Sequence, residues 1–446
     1  MKSCRVLRSD AARIWGAALR SADPEAAVHK LVSRKDLRLT IGTRQLDLGN
    51  YDHVWVLGAG KAAAPMARAV EKILGNRLTG GILVTKYGHA APLKTLEIIE
   101  AGHPLPDRSG LAAGERIREF AGTRIGPRDL VLCLFSGGGS ALLVSPAPGI
   151  TLEDKLASTS VLLKAGASIH ELNAVRKHLS TLKGGGLARL LGRTAAISLL
   201  LSDVVGDDPD TIASGPLVPD TTTYRNCLDI LERLRVADQI PAAVLRRFEA
   251  GLTGEHPETP KPGNPAFREK VSVLIGSNSQ ALTSAAAAAR HLGYHTMVLT
   301  SRLVGDTTEA ARFHMSIAQE VVSLGRPVRR PACILSGGET TVRVTGGGTG
   351  GRNQEFAMQC VRDLARLPAP CLVGSIGTDG TDGPTDAAGA VADNSTLSRS
   401  IKFGSDFLSH SLLNNDSYGF FKKLGDLIIT GPTRTNVMDL HVILIG

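Results

Sequence analysis

The sequence predicts an α/β protein of two or three domains, and three observations predict it. The chain has 446 residues, too many for one compact core at a typical domain size of roughly 100–200 residues. Short β-branched or Leu-rich runs alternate with longer Ala-rich stretches of helical period, the pattern of parallel strands with covering helices. Glycine, 49 of 446 residues or roughly 11% against a usual 7%, is concentrated in clusters that follow those runs.

Taken along the chain, HVWVL (53–57), GILVT (81–85), LVLCLF (130–135), AAISLLL (195–201), VSVLI (271–275), ACIL (332–335) and CLVGSI (371–376) read as strands, each too short for a helix. Met66, Val70, Ile73 and Leu74 fall at helical spacing after the first strand, and Phe356, Cys360 and Leu364 do so after the glycines at 346–351. Thr151 and Asp154 in T-L-E-D form a capping box that opens a further helix. The Pro- and Gly-rich stretch 251–268 has no apolar period and is the expected linker, separating a domain over 8–250 from one over 269–446. A weaker break lies at 325–332, and SGGGS (136–140) and SGGET (336–340) are a faint echo of one another.

Hydrophobic residues make up 43%, charged residues 21% and aromatics 4% of the chain, ordinary globular chemistry. The formal charge of +9 favours anionic partners in general, but so few aromatics supply little base-stacking surface, and no nucleic-acid partner is expected. Cys4, Cys133, Cys227, Cys333, Cys360 and Cys371 contain no C-x-x-C pair and read as thiols of a reducing compartment. No secretory h-region and no run near 18 apolar residues is present, so a cytoplasmic protein without a membrane partner is expected.

Ligands of open parallel sheets bind at the carboxyl ends of strands, where turns expose backbone amides. Those ends carry Gly58, Gly60 and Lys61; Ser136, Gly137, Gly138, Gly139 and Ser140; Asp203, Asp207 and Asp208; Asn278; Gly337, Gly338 and Glu339; and the loops 345–355 and 377–389. So many glycine loops suit a polyphosphate. GAGKAA fits the loose G-x-G-x-x-A dinucleotide fingerprint, but Lys86 stands where an acidic residue should meet the ribose of NAD. NADP and a reductase therefore stay open, whereas Walker A is excluded because Gly60-Lys61 lacks its leading Gly and following Ser or Thr.

Lys61 opens a helix, where a cation opposes the dipole by roughly 0.3–1 kcal/mol, and a bound anion would account for it. Arg352, at the head of another amphipathic helix, invites a carboxylate or phosphate in the same way. Asp379, Asp382 and Asp386 in GTDGTDGPTDAAG read either as Asx turns or as hard ligands for Mg²⁺ beside phosphates; Asp203 belongs to a second such cluster. His53, His89, His103, His170 and His178 make no H-E-x-x-H pairing and read as structural. The absence of G-x-S-x-G argues against an α/β-hydrolase.

The ordered set GAGKAA, GHPLPD (102–107), SGGGSALL, LNAVRKHLSTLKGGGLA (172–188), LSDVVGDDPDTIASGP (201–216), SGGETTV, GGRNQE and GTDGTDGPTDAAG resembles the glycerate 2-kinase family, whose C-terminal domain is called MOFRL. The resemblance spans nearly the whole chain. It implies a Rossmann-like, MOFRL-associated N-terminal domain, a smaller α/β domain with the MOFRL region at about 330–440, and an active site in the cleft between them. It further implies transfer of the γ-phosphoryl group of ATP to the 2-hydroxyl of D-glycerate with Mg²⁺. Carried over by motif position, Lys61, Arg352 and Asp379 are the catalytic candidates. Lys61, Asp203, Arg352 and Asn353 would bind substrate, and Asp379, Asp382 and Asp203 the metal. Leu217 and Arg434 depart from the pattern. The alternative is an NAD(P)-dependent hydroxypyruvate reductase; a homodimer stays open.

Overall fold

The computed structural model describes residues 2–446. It divides into two compact units: Pro24–Ile275, and the residues up to Asp23 together with Gly276–Gly446.

The first unit opens with an antiparallel meander, β1 (Val32–Lys35), β2 (Arg38–Ile41) and β3 (Arg44–Asp47). Its main sheet contains β4 (Val54–Ala59), β5 (Gly80–Lys86), β6 (Glu97–Ala101), β7 (Leu130–Phe135), β8 (Ala195–Leu201) and β9 (Lys270–Gly276). Their order is β6-β5-β4-β7-β8-β9, and the pairs from β6 to β8 are all parallel. That is the doubly wound order in which the winding reverses between the two central strands, here β4 and β7, and leaves a crevice at their carboxyl ends. Every residue of β7 is buried, as a sheet covered on both faces requires. The four strands expected ahead of residue 250 are present, and VSVLI, expected in the second domain, joins the same sheet as β9. The meander β1–β3 and β6, whose two isoleucines lie between glutamates, were not expected.

Beside the sheet, helices Leu152–Lys164, Ile169–His178, Tyr224–Arg233 and Ala242–Leu252 enclose a second core around Leu172, Tyr224 and Phe248. The expected capping box forms: Thr151 Oγ1 accepts from the Asp154 amide at 3.0 Å, and Asp154 Oδ2 from the Thr151 amide at 2.9 Å. Ser168 with Glu171 and Thr223 with Asn226 form two more.

The Pro-rich stretch 251–268 lies inside the first unit and is tied to it. Thr259 Oγ1 donates to Asp220 at 2.8 Å, and Glu258 meets His178 Nε2 at 3.0 Å. Composition marked it as a linker, but buried hydrogen bonds override composition, and the chain leaves the unit only after β9.

The second unit has a mixed six-stranded sheet: β10 (His295–Asp306), β11 (Ala332–Thr341), β12 (Cys371–Gly377), β13 (Gly389–Asp393), β14 (Leu427–Ile428) and β15 (Asp439–Ile445), ordered β10-β11-β15-β12-β13-β14. Only β10–β11 is parallel; β15 runs antiparallel between β11 and β12. The general expectation of parallel strands therefore fails here. The SGGET segment is also no strand-end loop. β11 continues through it, pairing Gly337 with Leu440 and Gly338 with Asp439, so its echo of SGGGS is not structural.

Helix Cys4–Ser21 belongs to this unit. Asp10 accepts from Tyr294 Oη at 2.8 Å, Arg8 pairs with Asp393 and Asp426, and the Trp15 indole lies against Gly374 of β12. Among the described residues no helix is long and apolar enough to cross a membrane, and all six cysteines are free thiols.

Candidate active site

At the crevice of the first sheet, the turns after β4 and β7 are stitched together through their backbones. The Lys61 amide donates to Gly137 O at 2.9 Å, the Ala62 amide to Ser136 Oγ at 3.0 Å and the Gly60 amide to Val84 O at 3.0 Å. Lys61 is thus fixed at the backbone, half-buried at the start of helix Ala63–Leu74. In the second turn Gly138 has φ +81°, and a Cβ there would lie 2.8 Å from His103 Cδ2 and 3.5 Å from Lys61 Cγ. Glycine is required both for the left-handed backbone and for the approach of the imidazole. Gly137 packs as tightly on Asp203, with room of only 2.2 Å between a would-be Cβ and Oδ2. Among the described residues neither the Gly137 nor the Gly138 amide donates to a protein acceptor. Two such donors beside a lysine suit an anionic oxygen.

His103, read from sequence as structural, follows β6 and lies against this turn. Burial first, then the charges of Lys61, Lys86 and His89, push its pKa down to about 4. It is therefore a neutral imidazole near pH 7. Ser140 Oγ meets Ser214 Oγ at 2.8 Å, and Ser214 in turn donates to Asn173 at 3.3 Å. Ala213 and Ser214 hold left-handed φ values of 51° and 59°, a conformation costing a non-glycine residue roughly 1–2 kcal/mol that the contacts around Ser140 sustain. Asp208 Oδ1 accepts from the Asp210 amide at 2.9 Å, while Asp210, which no motif singled out, pairs with the buried Lys177.

Two first-unit expectations change. Gly58 lies within β4, paired on both sides with Leu83 and Leu134. The Gly60 amide is occupied by Val84 and its carbonyl by Thr85. Neither presents a backbone donor to a nucleotide.

The second unit gathers Arg352, Asn353, Asp382, Glu339 and Asn278 around Asp439, a residue that no motif singled out. Arg352 grips Asp439 bidentately, Nε to Oδ2 at 2.5 Å and Nη2 to Oδ1 at 3.0 Å, while Nη1 reaches Glu339 at 2.8 Å. The cation expected to await an anion is already paired. Burial works against charge on Arg352, but Asp439 outweighs it and holds the guanidinium above its usual pKa. Burial pushes the fully enclosed Asp439 carboxyl up to about 6, with Arg352 pulling the other way.

Asp382 is spent on helix Arg352–Gln359. Its oxygens accept from the Asn353 amide at 3.1 Å, the Gln354 amide at 2.9 Å and both side-chain amides. A carboxylate so saturated is a helix cap, which corrects its expected role as a metal ligand. Asn278 donates to Val437 O and Asp439 O at 2.8 and 2.9 Å and holds β15 in place. Gly337 and Gly338 are ladder residues and Glu339 is an ion-pair partner. At these four positions, expected to meet a nucleotide, the structure shows contacts within the second unit. Asn353 Nδ2 bridges Asp382 and Asp439. Asp379 forms an Asx turn, Oδ1 accepting from the amide and hydroxyl of Thr381 at 3.1 Å each. Among the described residues no three His, Cys, Asp or Glu cluster as a metal cage.

The profile of a domain of unknown function, DUF4147, matches residues 10–249, and that of the MOFRL family matches 332–439. The chain is 41% identical to the glycerate 2-kinase of Pyrococcus horikoshii over 98% of its length and 97% of that protein's. It is 42% identical to the D-glycerate 2-kinase of Thermotoga maritima, over 89% and 91%. A protein of Agrobacterium vitis, provisionally named a hydroxypyruvate reductase, is 42% identical over 97% and 93%. The crystal structure of a Thermotoga maritima glycerate kinase superposes with a TM-score of 0.87 at 40% identity, covering 99% of this chain and 100% of that one.

Proposed function

The chain belongs to the glycerate 2-kinase family, MOFRL domain included, and on that premise we propose that it transfers the γ-phosphoryl group of ATP to the 2-hydroxyl of D-glycerate. The observation that carries this is likeness to two proteins named for that activity, at 41% and 42% identity over nearly the whole of each chain. The switch-point turn around Lys61 adds a seat of the right chemistry.

Phosphoryl transfer asks mainly for positioning and neutralised charge. Lys61 and the amides of Gly137 and Gly138 would hold phosphate oxygens at the crevice. His103, neutral beside Lys61, adds a hydrogen-bonding group without adding to the cationic crowd. Arg352 keeps a proposed part in binding anionic substrate through Nη1, since Glu339, exposed, is the partner that can be displaced while Asp439 fixes the other edge. Asn353 then acts as a brace for Asp382 and Asp439.

Mg²⁺ is content with one or two carboxylates when phosphates complete its shell. With Asp382 committed to its helix, Asp379 is the carboxylate of the second unit that would hold it, and Asp203 is the candidate of the first. The ion would offset charge on the transferring phosphoryl group, and Asp379 would alternatively accept the substrate proton. The protein is proposed to act in the cytoplasm on small-molecule partners.

Purified protein given D-glycerate, ATP and Mg²⁺ should release ADP, while hydroxypyruvate with NADPH should leave absorbance unchanged. Lys61→Ala should lower turnover roughly 10²–10³-fold, as loss of a transition-state donor does. Oxidation of NADPH without ADP release would overturn the reading.

A further inference from the structure

We propose that a cavity of about 470 Å³ in the first unit, opening beside Gly138, Ser140 and His103, is the seat of the nucleotide, its phosphates drawn to a triad of Lys155, Arg176 and Lys183. This rests on the kinase reading above and adds to it a place and three residues that the motif reasoning did not select.

The triad lines the cavity without any counter-charge. Among the described residues Lys155 Nζ donates only to Leu179 O at 2.9 Å, and Lys183 Nζ only to Leu143 O. Arg176 makes no hydrogen bond or ion pair among the described residues, and Lys183 is 3% exposed. Three basic groups gathered in a partly dry space disfavour one another's charged forms and have surrendered much of their hydration. The strain registers in their acidity: burial, then Arg176 and Arg247, brings Lys155 down to about 7, and burial, then Lys155 and Arg176, lowers Lys183. An arrangement so unfavourable when empty is what a multiply charged anion relieves.

Size and wall chemistry select the anion. A three-carbon acid is far smaller than this cavity, whose volume belongs to drug-sized ligands. The remaining walls include Leu156, Leu163, Leu172, Val175 and Leu179. These offer nothing to a polyhydroxy acid, but they suit the flat faces of a purine and the carbon side of a ribose. A ligand with an apolar plate and a phosphate tail satisfies both halves, and the cavity meets the crevice where Lys61 stands.

Calorimetric titration of the full-length protein with ADP, and separately with 2-phosphoglycerate, tests the assignment. Arg176→Met and Lys155→Met should each weaken ADP at least tenfold and leave 2-phosphoglycerate within twofold. Leu163→Trp, at an exposed position that should not disturb folding, should block ADP by filling the space while keeping every charge. Unchanged ADP affinity in these variants would overturn the assignment. So would selective loss of 2-phosphoglycerate, which would give the cavity to the acid. In both cases ADP binding by the wild-type protein leaves the kinase reading standing; absence of that binding would remove both.

Discussion

Arg352 and Asp439 meet edge to edge, two guanidinium nitrogens against two carboxylate oxygens at 2.5 and 3.0 Å, with the carboxylate fully buried at the start of β15. Removing one member strands the other. Arg352→Met should destabilise the second unit by about 3 kcal/mol, the lower end for a broken buried pair because the guanidinium is one-third exposed. Arg352→Met/Asp439→Leu should recover part of that loss. Urea unfolding followed through Trp15 in a Trp55→Phe background reads this unit alone, and a double variant weaker than the single would refute the argument.

Gly138 should not tolerate a side chain. Alanine at φ +81° costs roughly 1–2 kcal/mol and pushes its methyl into His103. Gly138→Ala should reduce turnover with ATP and D-glycerate by about tenfold or more with an unchanged circular dichroism spectrum. Wild-type turnover would mean the turn can open without consequence.

The His103 imidazole should stay neutral down to about pH 4, because burial and then Lys61 oppose its proton. Lys61→Met removes the second cause and leaves the first. The ring should then titrate at higher pH but still below the usual histidine value of about 6.5. Two-dimensional NMR of the ring protons across pH 3–8 measures both, and an unmoved titration would separate the two side chains.

Glu258 is held down to about 2 by His178, the Tyr224 amide and Lys261, against the opposing effect of burial. A carboxylate depressed in the folded state stabilises it at pH values above the unfolded pKa and loses that contribution as pH falls through the folded one. The gap in Tm between wild type and Glu258→Gln should thus be full above about pH 4.5 and close towards pH 2. A gap constant over that range would place the stabilisation elsewhere.

The parallel half of the fold was legible because apolar runs ending in small or polar residues have one good reading: the four strands expected ahead of the linker formed, as did the helix behind Lys61 and the box at Thr151, while VSVLI, expected beyond the linker, joined the same sheet as β9. The second sheet was not, since β15 joins it antiparallel from far along the chain and nothing local in DLHVILI announces a central strand. The site divides along the same line. Lys61 and Gly137–Ser140 followed from strand-end logic, whereas Asp439, the anchor of Arg352, sits in an apolar run that reads as core. Arg176, on a helix, and Lys183, in the turn after it, lay within a quoted motif, but a basic residue in either place resembles any solvated charge until the fold encloses it. Asp382 shows the converse: a carboxylate in a turn-rich loop suggested a metal, and a neighbouring helix claimed it.

Because helix Cys4–Ser21 and Gly276–Gly446 form one unit with Pro24–Ile275 interposed, the second sheet is assembled from both sides of a long detour. Its middle strand, β15, follows all the others in chain order. During synthesis the interposed body has every strand available while its host still lacks a centre, and the opening helix must wait for a surface made hundreds of residues later. A premature stop ahead of Asp439 would accordingly spare the interposed body and leave the other half without its keystone.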